Sequence, residues 1–151
     1  MHIFVGNILN KKLIKIKLSI SGVCATFEKD KYIKSKYVYI KNIIIYLSGP
    51  FSNLILAYIF KNNIMIREIN IFLALLNLLP IFPLDGYNII LNILNIFFPG
   101  KKIDKSIDNI CNIFLVILVI ISIYQIKEYY SFSLLIFSLY VFVLKINKSN
   151  E

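Results

Sequence analysis

The sequence predicts an all-α polytopic membrane protein with a small β-hairpin after residue 10. Three observations predict it. The 151 residues are 58% hydrophobic, and mean hydropathy is +0.74, well above the range of a soluble domain. Long apolar runs are separated by short segments that carry the lysines. Those lysines are distributed unequally. Residues 10–41, 99–109 and 145–151 hold 14 of the 17 basic residues, against Lys61, Arg67 and Lys127 elsewhere. The positive-inside rule makes the lysine-rich side cytoplasmic. That topological use of charge argues against nucleic acid as a partner and makes the lipid bilayer the surrounding medium.

Met1 to Leu9 is too short to span a membrane and reads as the last turns of an element whose beginning is missing. From Leu13 to Ile20, isoleucine and leucine alternate with Lys15, Lys17 and Ser19, the pattern of a half-buried strand. Ser21-Gly22 offers a turn and Val23 to Phe27 a return strand, giving a hairpin over 13–27. Residues 28–36 read as a basic loop, and 38–60 as a membrane helix. Lys61 to Arg67 reads as a polar connection. A broken membrane element comes next, over 68–98, interrupted by Pro80 and Pro83. Pro99-Gly100 ends it. Residues 1–98 form the first unit. Residues 99–151 form a C-terminal membrane helix pair, with spans at 110–126 and 131–144, and a short cytoplasmic tail from Lys145. Cys24 and Cys111 lack metal-ligand spacing and read as small apolar residues. The opening residues read as neither a basic leader nor a cleavage signal, so no signal peptide is expected in them.

The stretch from Asn77 to Gly86 organises the chain. Asp85 is the only acidic residue between Glu68 and Asp104. A carboxylate at membrane depth is costly unless it faces a cavity, a partner or a metal. Its two readings are a helix-capping aspartate, resuming the helix after the prolines, and a functional ligand. Asn53 lies within Ser48-Gly49-Pro50-Phe51-Ser52-Asn53. There it is either interhelical glue or a group lining a wet site. Asn88, Asn92 and Asn95 share one helix face with Asp85 nearby. That stripe either lines a cavity or packs against another helix.

Asn77-Leu78-Leu79-Pro80 followed by Pro83-Leu84-Asp85-Gly86 resembles a motif of the site-2 proteases, which are intramembrane zinc metalloproteases. The segment Ser48-Gly49-Pro50-Phe51-Ser52-Asn53 resembles a second motif of that family. Within that family the segments resemble the branch of the bacterial stage IV sporulation protein FB, which processes pro-sigma-K. The order of elements downstream of His2 resembles the order downstream of the second histidine in the family's HExxH motif. The resemblance implies a zinc metalloendopeptidase core that lacks its first helices, truncated inside HExxH. It implies His2 and Asp85 as zinc ligands and Asn53 as a contact to substrate or oxyanion. The first histidine and the general-base glutamate are expected just upstream of Met1, and the chain alone is expected to be inactive. The implied partners are a membrane-tethered protein substrate, with pro-sigma-K the family example, and membrane regulatory proteins. The implied location is a bacterial cell membrane, in a spore former the mother-cell membrane around the forespore. Two alternatives stand beside this reading. One is a non-hydrolytic pseudoprotease that binds membrane partners. The other is an ion-coupled transporter component with Asp85 at a broken helix.

Overall fold

The computed structural model describes residues 1–9, 13–19, 22–27, 36–99 and 103–149. Helices dominate it. In chain order the elements are α1 (His2–Ile8), β1 (Leu13–Ser19), β2 (Gly22–Phe27), α2 (Lys36–Ile59), α3 (Ile64–Leu78), α4 (Asp85–Phe97), α5 (Asp104–Tyr129) and α6 (Ser133–Ser149). The two strands pair antiparallel, with Ile16 opposite Ala25 and Ser19 opposite Gly22, and the register shifts between Leu13 and Lys15. Residues 28–35 of the loop expected over 28–36, and residues 100–102, lie outside the described residues, while Lys36 opens α2.

Among the described residues, two helices are long and apolar enough to cross a membrane, Lys36–Ile59 and Lys105–Tyr129. A span needs about 20 apolar residues. The 15 residues of α3, the 13 of α4 and the 17 of α6 are shorter than that. The broken element expected over 68–98 is thus two separate short helices. Pro80 and Pro83 divide them as expected, and the Phe82–Pro83 peptide is cis.

Several boundaries differ from the sequence expectation. The polar connection ends at Asn63, not Arg67, because the Asn63 side chain accepts a hydrogen bond from the Ile66 amide at 3.2 Å. This N-cap starts α3 four residues early and absorbs Arg67 and Glu68 into the helix. Asp85 does not cap α4. Leu84 occupies the cap position without a side-chain bond, and Asp85 sits in the first turn. There the positive end of the helix favours a carboxylate. Lys127 and Glu128 do not separate two spans but complete α5, which ends where Tyr130 takes a left-handed conformation with φ 51°. The segment after Lys145 is helical through Ser149. Lys145 Nζ bonds Asn112 Oδ1 and lies 3.4 Å from the Asp108 carbonyl, which ties α6 to α5.

α2 packs against α1, α3 and α4, while α5 packs against α6. One apolar cluster joins the two groups. Ile81 and Leu84 from the proline-rich turn and Tyr87 from α4 meet Ile107, Cys111, Leu115 and Leu118 of α5, with Val141 of α6. Phe82 adds an edge-to-face contact on Tyr87 at 5.7 Å. Fully burying an aliphatic side chain contributes about 1.5–3 kcal/mol. The turn is therefore anchored on both sides of Asp85, which fixes where the carboxylate stands.

Candidate metal centre

Three helices converge on His2. It opens α1, and its ring lies against α2. His2 Nδ1 donates to the Ile45 carbonyl at 2.6 Å. A carbonyl oxygen only accepts, so the proton sits on Nδ1. Ser48 Oγ lies 3.3 Å from the same nitrogen and itself donates to the Ile45 carbonyl at 2.7 Å. In the neutral ring this leaves Nε2 with its lone pair free. That lone pair meets Asp85 Oδ2 at 3.3 Å. A neutral imidazole nitrogen and a carboxylate are both acceptors, so a proton or a cation between them is what makes the contact favourable.

The backbone of α2 makes room for this meeting. A Cβ at Gly49 would stand 2.5 Å from His2 Nε2, 2.6 Å from His2 Cε1 and 3.0 Å from Asp85 Oδ2. No larger residue leaves both groups where they are. Asp85 is held in turn by its neighbour. A Cβ at Gly86 would collide with the Leu78 and Leu79 carbonyls. Close approach of α4 to the end of α3 therefore requires glycine at that position. The Asp-Gly pair divides the labour between a ligand and a contact point.

The donor chemistry fits zinc as far as it goes. Two ligand atoms on a tetrahedral zinc, each about 2.0–2.1 Å from the metal, stand about 3.3 Å apart. His2 Nε2 and Asp85 Oδ2 show that separation. A metal-binding histidine usually donates its other N–H to a carbonyl or carboxylate, which orients the ring. Ile45 fills that place here. The set is nevertheless incomplete. Among the described residues there is no group of three or more His, Cys, Asp or Glu able to hold a metal. A hydrolytic zinc needs three protein ligands and an open position.

The expected site residues divide accordingly. His2 and Asp85 are brought together across 83 positions of sequence. Asn53 lies four residues beyond Gly49 on α2 and is half-buried. Residues four apart share a helix face, and side chains lean toward the helix N-terminus. Asn53 therefore lies one turn beyond the Gly49 seat, on its face. Of the asparagine stripe, Asn88 and Asn95 bond back to the Leu84 and Leu91 carbonyls of their own helix. Asn92 is the member turned toward α2. Sequence reasoning read Gly49 as a packing residue and, with Ser48, as part of the family-like segment, but it missed their contact with His2 and missed Ile45. The available signal was spacing, because Ile45, Gly49 and Asn53 recur every fourth residue.

Residues 62–122 match the sequence model of Peptidase family M50, a family of zinc-dependent membrane proteases. The match contains Asp85, Gly86 and the proline-rich turn, and it stops short of His2, Gly49 and Asn53. No curated protein matches the chain. Similarity to an intramembrane metalloprotease thus rests on the segment that carries Asp85. The segment that carries His2 contributes its geometry.

Proposed function

We propose that this chain carries part of the catalytic core of an intramembrane zinc metalloendopeptidase. The observation that carries the reading is the His2–Asp85 contact over Gly49. It joins a ring with its tautomer set by Ile45 to the carboxylate of the family-matched segment. When bound, zinc would supply Lewis-acid chemistry for peptide hydrolysis. His2 and Asp85 would hold the metal, Ile45 and Ser48 keep the imidazole oriented, and the Asn53 amide would contact the substrate backbone or its developing oxyanion. The third protein ligand and the general base are the histidine and glutamate of HExxH. In that motif they stand one helical turn ahead of the position that His2 resembles.

The finer assignments belong to the same proposal. The sporulation branch makes pro-sigma-K the substrate and the mother-cell membrane the location, with 10–41, 99–109 and the C-terminus cytoplasmic. An apolar hollow of about 390 Å³ supports an apolar peptide as ligand. Its lining includes Val5, Leu47, Ser48, Phe51, Leu54 and Leu78. Ser48 also touches His2, so the hollow adjoins the centre.

The test has two stages. Sequencing the locus upstream of Met1 should reveal an in-frame His-Glu-x directly before it. The extended protein, purified in lipid, should bind one zinc per chain and cleave a membrane-tethered peptide. Asp85→Asn should abolish both. An in-frame stop at that place overturns the peptidase reading and favours a pseudoprotease that keeps the fold. Full cleavage by Asp85→Asn overturns the ligand assignment.

A further inference from the structure

Asp85 needs more than the turn before it to meet His2. Its helix must also lie in the correct register on α2. Two turns along α4, Asn92 is 7% exposed. Asn42 Nδ2 of α2 donates to Asn92 Oδ1 at 3.0 Å. Asn92 Nδ2 donates to the Asn88 carbonyl at 2.7 Å, so both ends of the amide are engaged and its orientation is fixed.

The spacing of this bond matches the spacing of the metal centre. On α2, Gly49 lies seven residues after Asn42. On α4, Asp85 precedes Asn92 by seven. The helices are therefore antiparallel along one seam. The amide pair and the Gly49–Asp85 contact are two layers about 10.5 Å apart on that seam. Ile45 and Ile89, both buried, fall between the two layers.

Apolar packing holds such a seam together but specifies its register weakly. Between membrane helices there is no hydrophobic driving force, and association rests on packing and interhelical hydrogen bonds. A slip of one turn moves Asp85 by about 5.4 Å relative to Gly49. It also separates two amides in apolar surroundings, where unpaired polar groups are costly. A single buried asparagine contact that fixes helix register is a well-attested use of a polar group in a helical core.

We propose that the Asn42–Asn92 hydrogen bond is the register lock that sets Asp85 opposite Gly49 and His2. Asn42 and Asn92 are positioning residues, and neither touches the proposed metal. The purpose of the lock rests on the zinc reading above, while the lock itself is tested without metal.

The experiment uses the 151-residue chain in lipid vesicles, with Cys24→Ser and Cys111→Ala to remove native thiols. Ile45→Cys is paired with Ile89→Cys to report the observed register, or with Ile93→Cys to report a one-turn slip. Mild oxidation should cross-link the 45–89 pair in preference to 45–93. Adding Asn42→Leu and Asn92→Leu should lower that preference about threefold to tenfold, the fold-change expected for one interhelical hydrogen bond. A role in stability alone would lower both yields together and leave their ratio unchanged. An unchanged ratio overturns the lock. Asn42→Ala removes the donor while leaving Asn92 in place, and carries the same test if the leucine pair does not fold. Zinc binding is measured separately on the extended protein. A shifted ratio in a protein that binds no zinc supports the lock and removes the metal centre as its purpose.

Discussion

His2 and Gly49 occupy one space: a Cβ on Gly49 would lie 2.5 Å from His2 Nε2, so the imidazole takes the place of a missing side chain. The Asp85 carboxylate reaches the same gap from the opposite side, 3.3 Å from that nitrogen. A glycine in a membrane helix usually serves close helix packing. Here the close neighbour is a pair of side chains with ligand chemistry.

Gly49→Ala should therefore damage the centre before it damages the fold. The added methyl must displace His2 or Asp85, and both are ends of movable side chains. Overpacking of this kind costs about 1–3 kcal/mol. In the extended protein, zinc affinity should fall at least about tenfold, the effect of losing about 1.4 kcal/mol. Helix content should stay the same. Zinc titration with circular dichroism on one sample checks both, and unchanged affinity contradicts the seat assigned to Gly49.

Gly86→Ala should do the reverse. Its methyl would meet the Leu78 and Leu79 backbone carbonyls, which no rotamer change can move. Relief requires α4 to shift away from α3. Stability should fall by about 1–3 kcal/mol or more. Unfolding in mixed micelles by denaturing detergent measures it. A variant as stable as the parent would mean that the α3–α4 junction is looser than this contact implies.

Asp85→Asn and His2→Ala should leave the fold standing, because both side chains are half-buried and neither belongs to the apolar cluster. In the extended protein each should abolish detectable zinc-dependent cleavage. The carboxamide keeps the shape of Asp85 but lacks the charge that holds a cation. Zinc content per chain, read beside detergent-resistant folding, separates loss of the ligand from loss of the protein.

The lysine asymmetry gives a prediction independent of the centre. A cysteine placed at Lys34 or Lys102 should resist an impermeant thiol reagent added outside intact cells, and should react after permeabilisation. The 14-to-3 distribution of basic residues carries this expectation. Labelling of either site from outside reverses or breaks the topology.

Asn63→Ala checks a boundary that a side chain sets. Losing an asparagine N-cap costs about 1 kcal/mol. Hydrogen exchange over residues 64–67 should accelerate by about fivefold, the equivalent of that energy. Protection that does not change would place the start of α3 under tertiary control.

Much of this protein was legible from local chemistry. Pro80 and Pro83 cannot continue a helix, so the break around them was dictated by the chain alone. The lone carboxylate of Asp85 in an apolar setting marked the site by its cost, and lysine placement suggested the sides of the membrane. Helix limits were less legible. Asn63 and Tyr130 set two of them through a cap bond and a left-handed residue. Apolar periodicity alone does not reveal either.

The tertiary structure decided what three residues mean. Gly49 has no side chain to announce a role, and its purpose exists only because His2 and Asp85 arrive there from other helices. Asn92 is indistinguishable in sequence from Asn88 and Asn95, yet it alone of the three pairs with α2, through Asn42. Asp85 stands in the first turn of its helix and not at the cap, since burial of Ile81, Leu84 and Tyr87 fixes the turn around it. Composition and spacing determine which groups are too polar to face lipid. Which of them meet depends on helix register, a property of two packed surfaces that neither helix encodes by itself.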